Sequence, residues 1–268
     1  MVAGLAACVS VALLALALTL VDWEGLQIQR ERAWRRALAR AGTPLPGTPD
    51  LAAFDRRLAE HGVALGAPVF IRIFKLEFEL ELWTKRGDRF ELFATYPICR
   101  WSGALGPKLY EGDRQAPEGF YTVDAPALNP NSRWHRSFNL GFPNALDRAY
   151  GRTGSYLMVH GGCGSVGCYA MTDPVIDEIW RLVTAALRAG QPRIHVHIFP
   201  FRMTEERLAE RNRPTLALFW RDLKAGYDAF EATRLPPRVS VCRGRYVVSP
   251  DAAPDAVDLA GSSPLAGC

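Results

Sequence analysis

A short glycine-rich turn constrains this chain more than any other feature. The apolar run Leu157 to Val159 leads into His160, and four glycines and two cysteines follow within eight residues. Such a run is typical of a buried strand, and the glycines permit positive φ angles that a β-carbon would disfavour. The pattern predicts a strand that delivers His160 and Cys168 into a tight turn, before a helix that opens at Asp173-Pro174.

The residue types in this turn suit thiol chemistry. A cysteine attacks as its thiolate, and a thiol with an ordinary pKa near ~8.5 needs an imidazole or a helix N-terminus beside it to ionise at neutral pH. We interpret His160 and Cys168 as such a pair, with the backbone amides of Gly167 and Cys168 as an oxyanion hole. On spacing alone, the alternative is a buried cysteine in a tight turn beside a core histidine.

The turn resembles the L,D-transpeptidase (YkuD-type) catalytic domain family. The family signature is a histidine-glycine pair followed by serine-x-glycine-cysteine, and it matches His160-Gly161 and Ser165-Val166-Gly167-Cys168. The segment HGGCGSVGCYAMTD most resembles the YafK-type subgroup of periplasmic murein-processing proteins. Three further blocks agree with that subgroup in the same order, namely Tyr96 to Tyr121, Phe138 to Arg152 and Phe199 to Thr204. The resemblance spans roughly residues 60–250.

This resemblance implies a role for each matched residue. Cys168 is the acyl-accepting nucleophile and His160 is its base. The backbone carbonyl of Gly161 orients the imidazole, while Gly167 and Ser165 occupy the oxyanion and motif positions. The resemblance implies no cofactor and no metal.

The chain also departs from the general family pattern. The family often has a second histidine before the glycine-cysteine pair and an arginine soon after it, whereas this chain has Val166 and Tyr169-Ala170. The subgroup shares the departure, which concerns the substrate contacts rather than the nucleophile. Tyr169 is therefore expected at the substrate, together with Arg152 and Arg202, which could reach the groove from elsewhere.

Two histidines on a later strand raise a metal-binding alternative. His195 and His197 point to one face, and with His160, Cys163 and Cys168 they can be drawn as a zinc site. The spacing H-x-x-C-x-x-x-x-C fits no common zinc module. We expect a polar or partly exposed strand face for His195 and His197 instead.

Hydropathy patterning predicts a mainly β domain of the α+β class, resembling the YkuD-type β-sandwich with added helices. Val69–Phe74 and 77–83 alternate as half-buried strands, and a hairpin leads back through 90–98. Apolar residues at helical spacing predict a core-facing helix that Asp173 caps and Gly190 ends. Further predicted elements are a strand entered at 117–121, a turn over 129–134, strands over 138–142 and 193–199, helices after Thr204 and over 214–234, and a hairpin over 238–248.

The ends of the chain differ from this domain. Val2 to Val21 is uncharged and long enough to cross a bilayer, so we predict that 1–22 is a signal peptide or membrane anchor. The predicted divisions that follow are a helical linker region over 23–66, the catalytic domain over 67–248 and a disordered tail over 249–268. Gln27 to Arg40 is interpreted as a solvated linker helix, with a basic helix at lipid head groups as the alternative. The expected location is periplasmic, released or membrane-anchored.

Six cysteines in an exported chain suggest a disulfide. One is the predicted nucleophile, and two lie in the leader and the tail, which leaves Cys99, Cys163 and Cys242. A single disulfide among these three cysteines is possible, and the sequence does not say which two form it. For Cys163 we expect a small buried residue, with a second thiol near the active site as the alternative.

The implied function is thiol-dependent acyl transfer on peptidoglycan stem peptides. Cys168 attacks the carbonyl on the L-centre side of an L,D amide bond, and water or an amine resolves the thioester. The subgroup favours hydrolysis that releases a wall-linked envelope protein from diaminopimelate, and crosslinking or protein attachment is the alternative. A wall- or zinc-binding module without turnover is the alternative from a different class. No nucleic-acid motif is visible, and the net charge of +4 does not single out nucleic acid.

Overall fold

Twelve strands among the described residues form two five-stranded sheets and a separate hairpin. The computed structural model describes residues 22–211 and 213–249, so the predicted export segment and tail lie outside it except for one residue each. The strands are β1 Val69–Phe74, β2 Glu79–Arg86, β3 Arg89–Pro97, β4 Arg100–Trp101, β5 Gly119–Val123, β6 Leu128–Ser132, β7 His135–Asn139, β8 Met158–His160, β9 Tyr169–Ala170, β10 Ile194–Phe199, β11 Arg238–Cys242 and β12 Arg245–Ser249.

Helices connect the strands and cover the sheets. Within the described ranges they are α1 Trp23–Arg40, α2 Phe54–Glu60, α3 Ala145–Ala149, α4 Asp173–Arg188, α5 Glu205–Glu210 and α6 Ala217–Thr233. None of these helices is long and apolar enough to span a membrane. The mixed sheets with helices confirm the predicted α+β class.

The first sheet, sheet one, has the strand order β3-β2-β1-β10-β5, with β1 and β10 parallel. Every residue of these two central strands is buried. The prediction of a half-buried strand over 69–74 is therefore wrong, because both faces of β1 are covered. Its polar residue Arg72 is buried with a carboxylate partner, Glu81, at 2.7 Å.

The interpretation of His195 and His197 as a polar or partly exposed face is also wrong. Both lie on β10 and are buried. The His197 ring lies edge-on between Phe70 and Phe120, with centroids 4.8 and 4.7 Å away. Phe230 of α6 packs on Phe70 at 4.6 Å. The face is buried because α6 covers it, and sequence alternation does not reveal that cover.

The second sheet, sheet two, has the order β4-β9-β8-β7-β6 and carries the glycine-rich turn. The predicted turn over 129–134 is a strand in its first part, β6, and the strand predicted over 138–142 begins earlier, at His135. Pro130 lies in β6, at the edge of the sheet, where a missing backbone donor is tolerated. The pairing of β6 with β7 is irregular between Asn129 and Ser132, which blurs the pattern of the strand.

The predicted solvated linker helix packs on the domain instead. Arg32 of α1 donates to the Gly103 carbonyl at 2.8 Å, and its guanidinium lies 4.1 Å from the centre of the Trp101 ring. Arg35 donates to the Ile98 carbonyl at 3.2 Å. Both arginines are buried. The helix docks through guanidinium stacking and hydrogen bonds rather than through an apolar stripe, so hydropathy does not predict the contact.

Candidate active site

The strand register brings His160 and Cys168 together. In sheet two, β8 and β9 are parallel neighbours, with Val159 opposite Tyr169 and His160 opposite Ala170. Cys168 directly precedes β9, so its backbone lies beside the start of β8. Because side chains alternate along extended chain, Cys168 and Ala170 lie on the face that His160 also occupies. The predicted nucleophile and base are therefore diagonal neighbours on one face.

A backbone carbonyl orients the imidazole of His160. Its Nδ1 lies 2.6 Å from the Gly161 carbonyl oxygen, which accepts a hydrogen bond when Nδ1 carries the proton. That tautomer leaves Nε2 as the basic nitrogen. A β-carbon at Gly161 would lie 2.5 Å from Oδ1 of Asp173, so this position needs glycine. Burial lowers the pKa of His160, and the Gly161 contact and the Asp173 charge oppose that change. The resting imidazole is neutral.

The thiol of Cys168 is buried, which disfavours its thiolate form. Burial raises its pKa, against the smaller opposing effects of a hydrogen bond with the Met158 backbone and the charge of Lys108. The thiol donates to the Tyr156 carbonyl at 3.6 Å. Desolvation outweighs the nearby charges and acts against a thiolate, so the activation of Cys168 by His160 stays a prediction.

Two serines hold the backbone around Cys168. The Gly167 amide donates to Oγ of Ser102 at 2.5 Å, and the Cys168 amide donates to Oγ of Ser165 at 3.1 Å. Ser165 returns a 2.6 Å hydrogen bond to the Cys168 carbonyl. The two serine oxygens are 3.3 Å apart. Because the Ser165 hydroxyl donates its hydrogen to the Cys168 carbonyl, the Ser102 hydroxyl is the donor in the bond between the two serines.

These contacts compete with the predicted oxyanion hole. The amides of Gly167 and Cys168 are both engaged with serine hydroxyls, so neither is free for a substrate oxygen in this arrangement. Gly167 has a φ of +95°, a conformation that a side chain would strain, and this explains the glycine without an oxyanion role. Ser165 therefore supports the turn at the nucleophile.

A buried lysine organises the loop between β4 and β5. Nζ of Lys75 contacts the carbonyl oxygens of Ala104, Gly106 and Ala116 at 2.7, 3.0 and 3.1 Å. It also forms an ion pair with Glu118 at 3.0 Å, and both side chains are fully buried. The loop that supplies Ser102 is thereby fixed to sheet one.

The same loop brings a second lysine near the thiol. Lys108 is buried, forms a 2.5 Å ion pair with Asp113, and is close enough to Cys168 to affect its pKa. Sequence reasoning missed Ser102, Lys75 and Lys108. Ser102 and Lys108 lie in the block Tyr96 to Tyr121 that carries the family resemblance. That resemblance identifies the block but does not single out these two residues.

Trp134 forms a wall beside the predicted base. It lies between β6 and β7, its ring centroid is 6.1 Å from that of His160, and it is 41% exposed. Its indole also covers Gly162 and Gly164 of the turn. An exposed tryptophan fixed against glycines offers a rigid apolar surface to a ligand. Sequence reasoning assigned this residue only to a polar turn.

Tyr169, which the sequence predicts at the substrate, is directed into the core. It is fully buried, and its hydroxyl donates to the Pro117 carbonyl at 2.6 Å. Being adjacent to Cys168 on an extended chain, it points to the opposite face, into the core. Ala170 and Met171 are buried as well.

The two predicted substrate arginines are also engaged elsewhere. Arg152 forms a 2.8 Å ion pair with Asp147, and both side chains are largely buried. Arg202 contacts Glu79 at 2.5 Å and Glu81 at 2.7 Å, both near the start of β2 in sheet one. Carboxylates of the protein itself pair with both guanidinium groups and compete with the predicted substrate-binding roles, which stay predictions.

A disulfide joins Cys99 and Cys163, with Cα atoms 5.2 Å apart. This selects one of the pairings left open by the sequence and shows that Cys163 is neither a small buried residue nor a second thiol. The bridge ties the residue before β4 to the turn between His160 and Cys168. Cys168 is a free thiol.

The zinc arrangement drawn from the sequence does not form. His195 and His197 lie on sheet one, whereas His160 lies on sheet two. Cys163 is in the disulfide. Across 22–211 and 213–249, no three or more His, Cys, Asp or Glu side chains lie close enough together to hold a metal ion.

The site can be compared with known proteins. Residues 73–198 match the YkuD family model, described as the L,D-transpeptidase catalytic domain. The chain is 53% identical over 185 residues to "Putative L,D-transpeptidase YafK" of Escherichia coli (strain K12), covering 69% of this chain and 75% of that protein. The protein of the same description in Escherichia coli O157:H7 gives the same figures.

Among solved structures, the helical cell shape determining protein Pgp2 (K307A mutant) from Campylobacter jejuni gives a TM-score of 0.41 at 19% identity, covering 70% of this chain and 69% of that chain. The sequence relationship to the Escherichia coli proteins is much stronger and extends over most of their length. The matched residues include both strands that bring His160 and Cys168 together. On these grounds the chain is a member of the L,D-transpeptidase (YkuD-type) family.

Proposed function

We propose that the protein is a cysteine-dependent acyl transferase on peptidoglycan stem peptides and that water is its usual acceptor. The observation that carries the proposal is the placement of Cys168 beside β8, diagonal to a His160 whose Nδ1 is held by Gly161. A neutral thiol and a neutral imidazole suit a mechanism in which the proton moves as the bond forms.

The reaction follows from these positions. The thiol turns its proton from the Tyr156 carbonyl to Nε2 of His160 while Sγ attacks the carbonyl carbon on the L-centre side of an L,D amide. The protonated imidazole then donates that proton to the departing amine, and the C–N bond is replaced by a C–S bond. Water, deprotonated by the same nitrogen, cleaves the thioester and restores the thiol.

The surroundings of the nucleophile favour hydrolysis over crosslinking. A competing amine needs a subsite that holds it against the thioester. The residues after the nucleophile, Tyr169 to Met171, are buried and supply no charge. Arg152 and Arg202 are bound to carboxylates of the protein itself. These residues therefore do not hold an acceptor amine at the thioester, and hydrolysis is expected to exceed amine transfer at acceptor concentrations too low to occupy a more distant subsite.

The experiment allows hydrolysis and amine transfer to compete in one reaction mixture. A stem tetrapeptide donor and a peptide whose lysine side chain is amide-linked to diaminopimelate are incubated with the protein, and products are identified by mass spectrometry. The proposal predicts release of the lysyl peptide with little dimer. Efficient formation of 3-3 crosslinked dimer without lysyl release would overturn the hydrolytic assignment and favour the transpeptidase.

An oxidising envelope compartment is part of the proposal. A disulfide between Cys99 and Cys163 is the kind of bond that persists outside the cytoplasm, and the uncharged run Val2 to Val21 fits an export segment. We retain 67–248 as the extent of the catalytic unit. The partners implied are stem peptides and an amine-linked envelope protein.

A further inference from the structure

A cavity of about 460 Å³ lies between the end of α1 and the glycine-rich turn. One wall is formed by Arg36, Arg40 and the segment that follows α1. The opposite wall is formed by Trp134, Gly162 and Gly164. A cavity of this size accommodates a short peptide or a small molecule. Nothing in the proposed reaction so far uses it.

Trp134 places this cavity on the leaving-group side of the reaction. Its indole is a wall of the cavity and also lies 6.1 Å from the His160 ring. In the proposed mechanism His160 protonates the departing amine, so the segment attached to that amine extends past His160. Trp134 and the turn direct that segment towards α1.

The cavity carries unpaired positive charge. The guanidinium groups of Arg36 and Arg40 form no hydrogen bond or ion pair with any residue of the described ranges. Arg36 is also near Arg100, whose pKa is lowered by burial and then by the Arg36 charge. The one carboxylate in the lining, Asp173, accepts the Gly162 amide at 2.7 Å. The two arginines outnumber this single carboxylate in the lining, which favours binding of an anion.

We propose that this cavity binds the leaving segment of the substrate, a peptide that carries a free carboxylate near the scissile amide. Arg36 and Arg40 bind the carboxylate, and Trp134 supplies the apolar wall. The inference rests on the proposed function, because it uses the direction in which the amine departs. It gives a specificity role to residues that precede the family match at 73–198.

The kinetic test uses a matched pair of substrates that differ only in the leaving lysyl peptide, which ends in a carboxylate or in an amide. The variant is Arg36→Gln/Arg40→Gln in the full chain, and the control is Arg30→Gln, an exposed arginine of α1 outside the cavity. For the carboxylate substrate the double variant raises KM about tenfold or more with kcat within twofold, since it removes charge-assisted hydrogen bonds. The amide substrate and the control change less than twofold. Equal effects on both substrates, or on the control, would overturn the inference.

A binding measurement separates this inference from the reaction itself. The carboxylate-ending lysyl peptide is titrated into Cys168→Ala protein by calorimetry, with and without the arginine substitutions. Its affinity falls about tenfold in the double variant, not in Arg30→Gln, and weakens with added salt. If this pattern holds while wild type releases no peptide, the inference stands and the proposed function fails. If the wild-type protein releases the peptide but the affinity is unchanged in the Arg36 and Arg40 double variant, the inference fails and the proposed function stands.

Discussion

The hydroxyl of Ser102 accepts the amide hydrogen of Gly167 at 2.5 Å, across 65 positions of the sequence. This bond attaches the loop after β4 to the residue that precedes the free thiol. Because Gly167 has a positive φ, the backbone there has few local constraints of its own and depends on this contact. The position of Cys168 is thus set partly by a residue outside the signature motif.

Substitution of Ser102 by alanine is expected to slow turnover more than it weakens binding. Loss of a hydrogen bond of about 0.5–1.5 kcal/mol leaves the buried Gly167 amide unsatisfied and loosens the nucleophile. We expect kcat to fall about tenfold and KM to change less than threefold, measured by steady-state peptide release. Ser240→Ala, in the hairpin of β11 and β12, is the control. An unchanged kcat in Ser102→Ala would show that the serine does not position the thiol.

The activity should persist below the ordinary pKa of histidine. The base must be neutral to accept the thiol proton, and burial lowers the pKa of His160 from 6.5. The acid limb of kcat/KM is therefore expected below pH 6.5, with activity lost as pH falls through the lowered pKa. His160→Ala should cost at least ~10²-fold and remove that limb. A limb centred above pH 6.5 would contradict the buried, neutral imidazole.

Removal of the disulfide should destabilise the protein. The bridge closes a loop with a sequence separation of 64, for which about 2–4 kcal/mol is typical. Cys99→Ser/Cys163→Ser is expected to lower the free energy of unfolding by that amount in urea titrations. Activity should fall in part as well, because the turn between His160 and Cys168 loses an anchor. If unfolding is unchanged within 0.5 kcal/mol, the bridge has no structural role.

The buried histidines of β10 should make the fold sensitive to acid. Burial and then Arg193 lower the pKa of His195 to about 4, and burial, His195 and Arg72 hold the pKa of His197 well below 6.5. The unfolded chain therefore binds protons below pH 6.5 that the folded chain does not. The free energy of unfolding should fall by about 1.4 kcal/mol per pH unit per histidine below that value.

The matched variants for the acid prediction are His197→Leu and His61→Gln. The first removes one buried imidazole, so its slope of unfolding free energy against pH should be shallower than that of wild type. The second changes a half-buried histidine outside β10 and controls for the loss of a histidine as such. Identical slopes in wild type and His197→Leu would mean that His197 does not contribute to the acid sensitivity.

Elements with a clear side-chain period could be predicted from the sequence. The α4 helix follows from apolar residues at helical spacing, although its N-cap is Thr172 rather than Asp173. The Asp173 carboxylate instead accepts the Gly162 amide. The burial of Tyr169 could also be predicted. Two adjacent residues of a strand point to opposite faces of the sheet, so with Cys168 on the face of His160, Tyr169 points to the other face.

Contacts between distant segments could not be predicted in the same way. Arg32 and Arg35 dock α1 by stacking and hydrogen bonding, which hydropathy scores as solvent-exposed charge. Ser102 and Lys75 act on the site through one hydroxyl and one ammonium group, without any periodic signal. The choice of Cys99 as the partner of Cys163 likewise depends on the pairing of β4 with β9.

The central claim is that Cys168 carries the acyl group, and intact-protein mass spectrometry tests it most directly. The protein is mixed with excess stem tetrapeptide and quenched in acid within the first turnover. We predict a mass increase equal to the acyl fragment, mapped to Cys168, lost on treatment with hydroxylamine and absent in Cys168→Ala. An acyl adduct on another residue, or undiminished peptide release by Cys168→Ala, would contradict it.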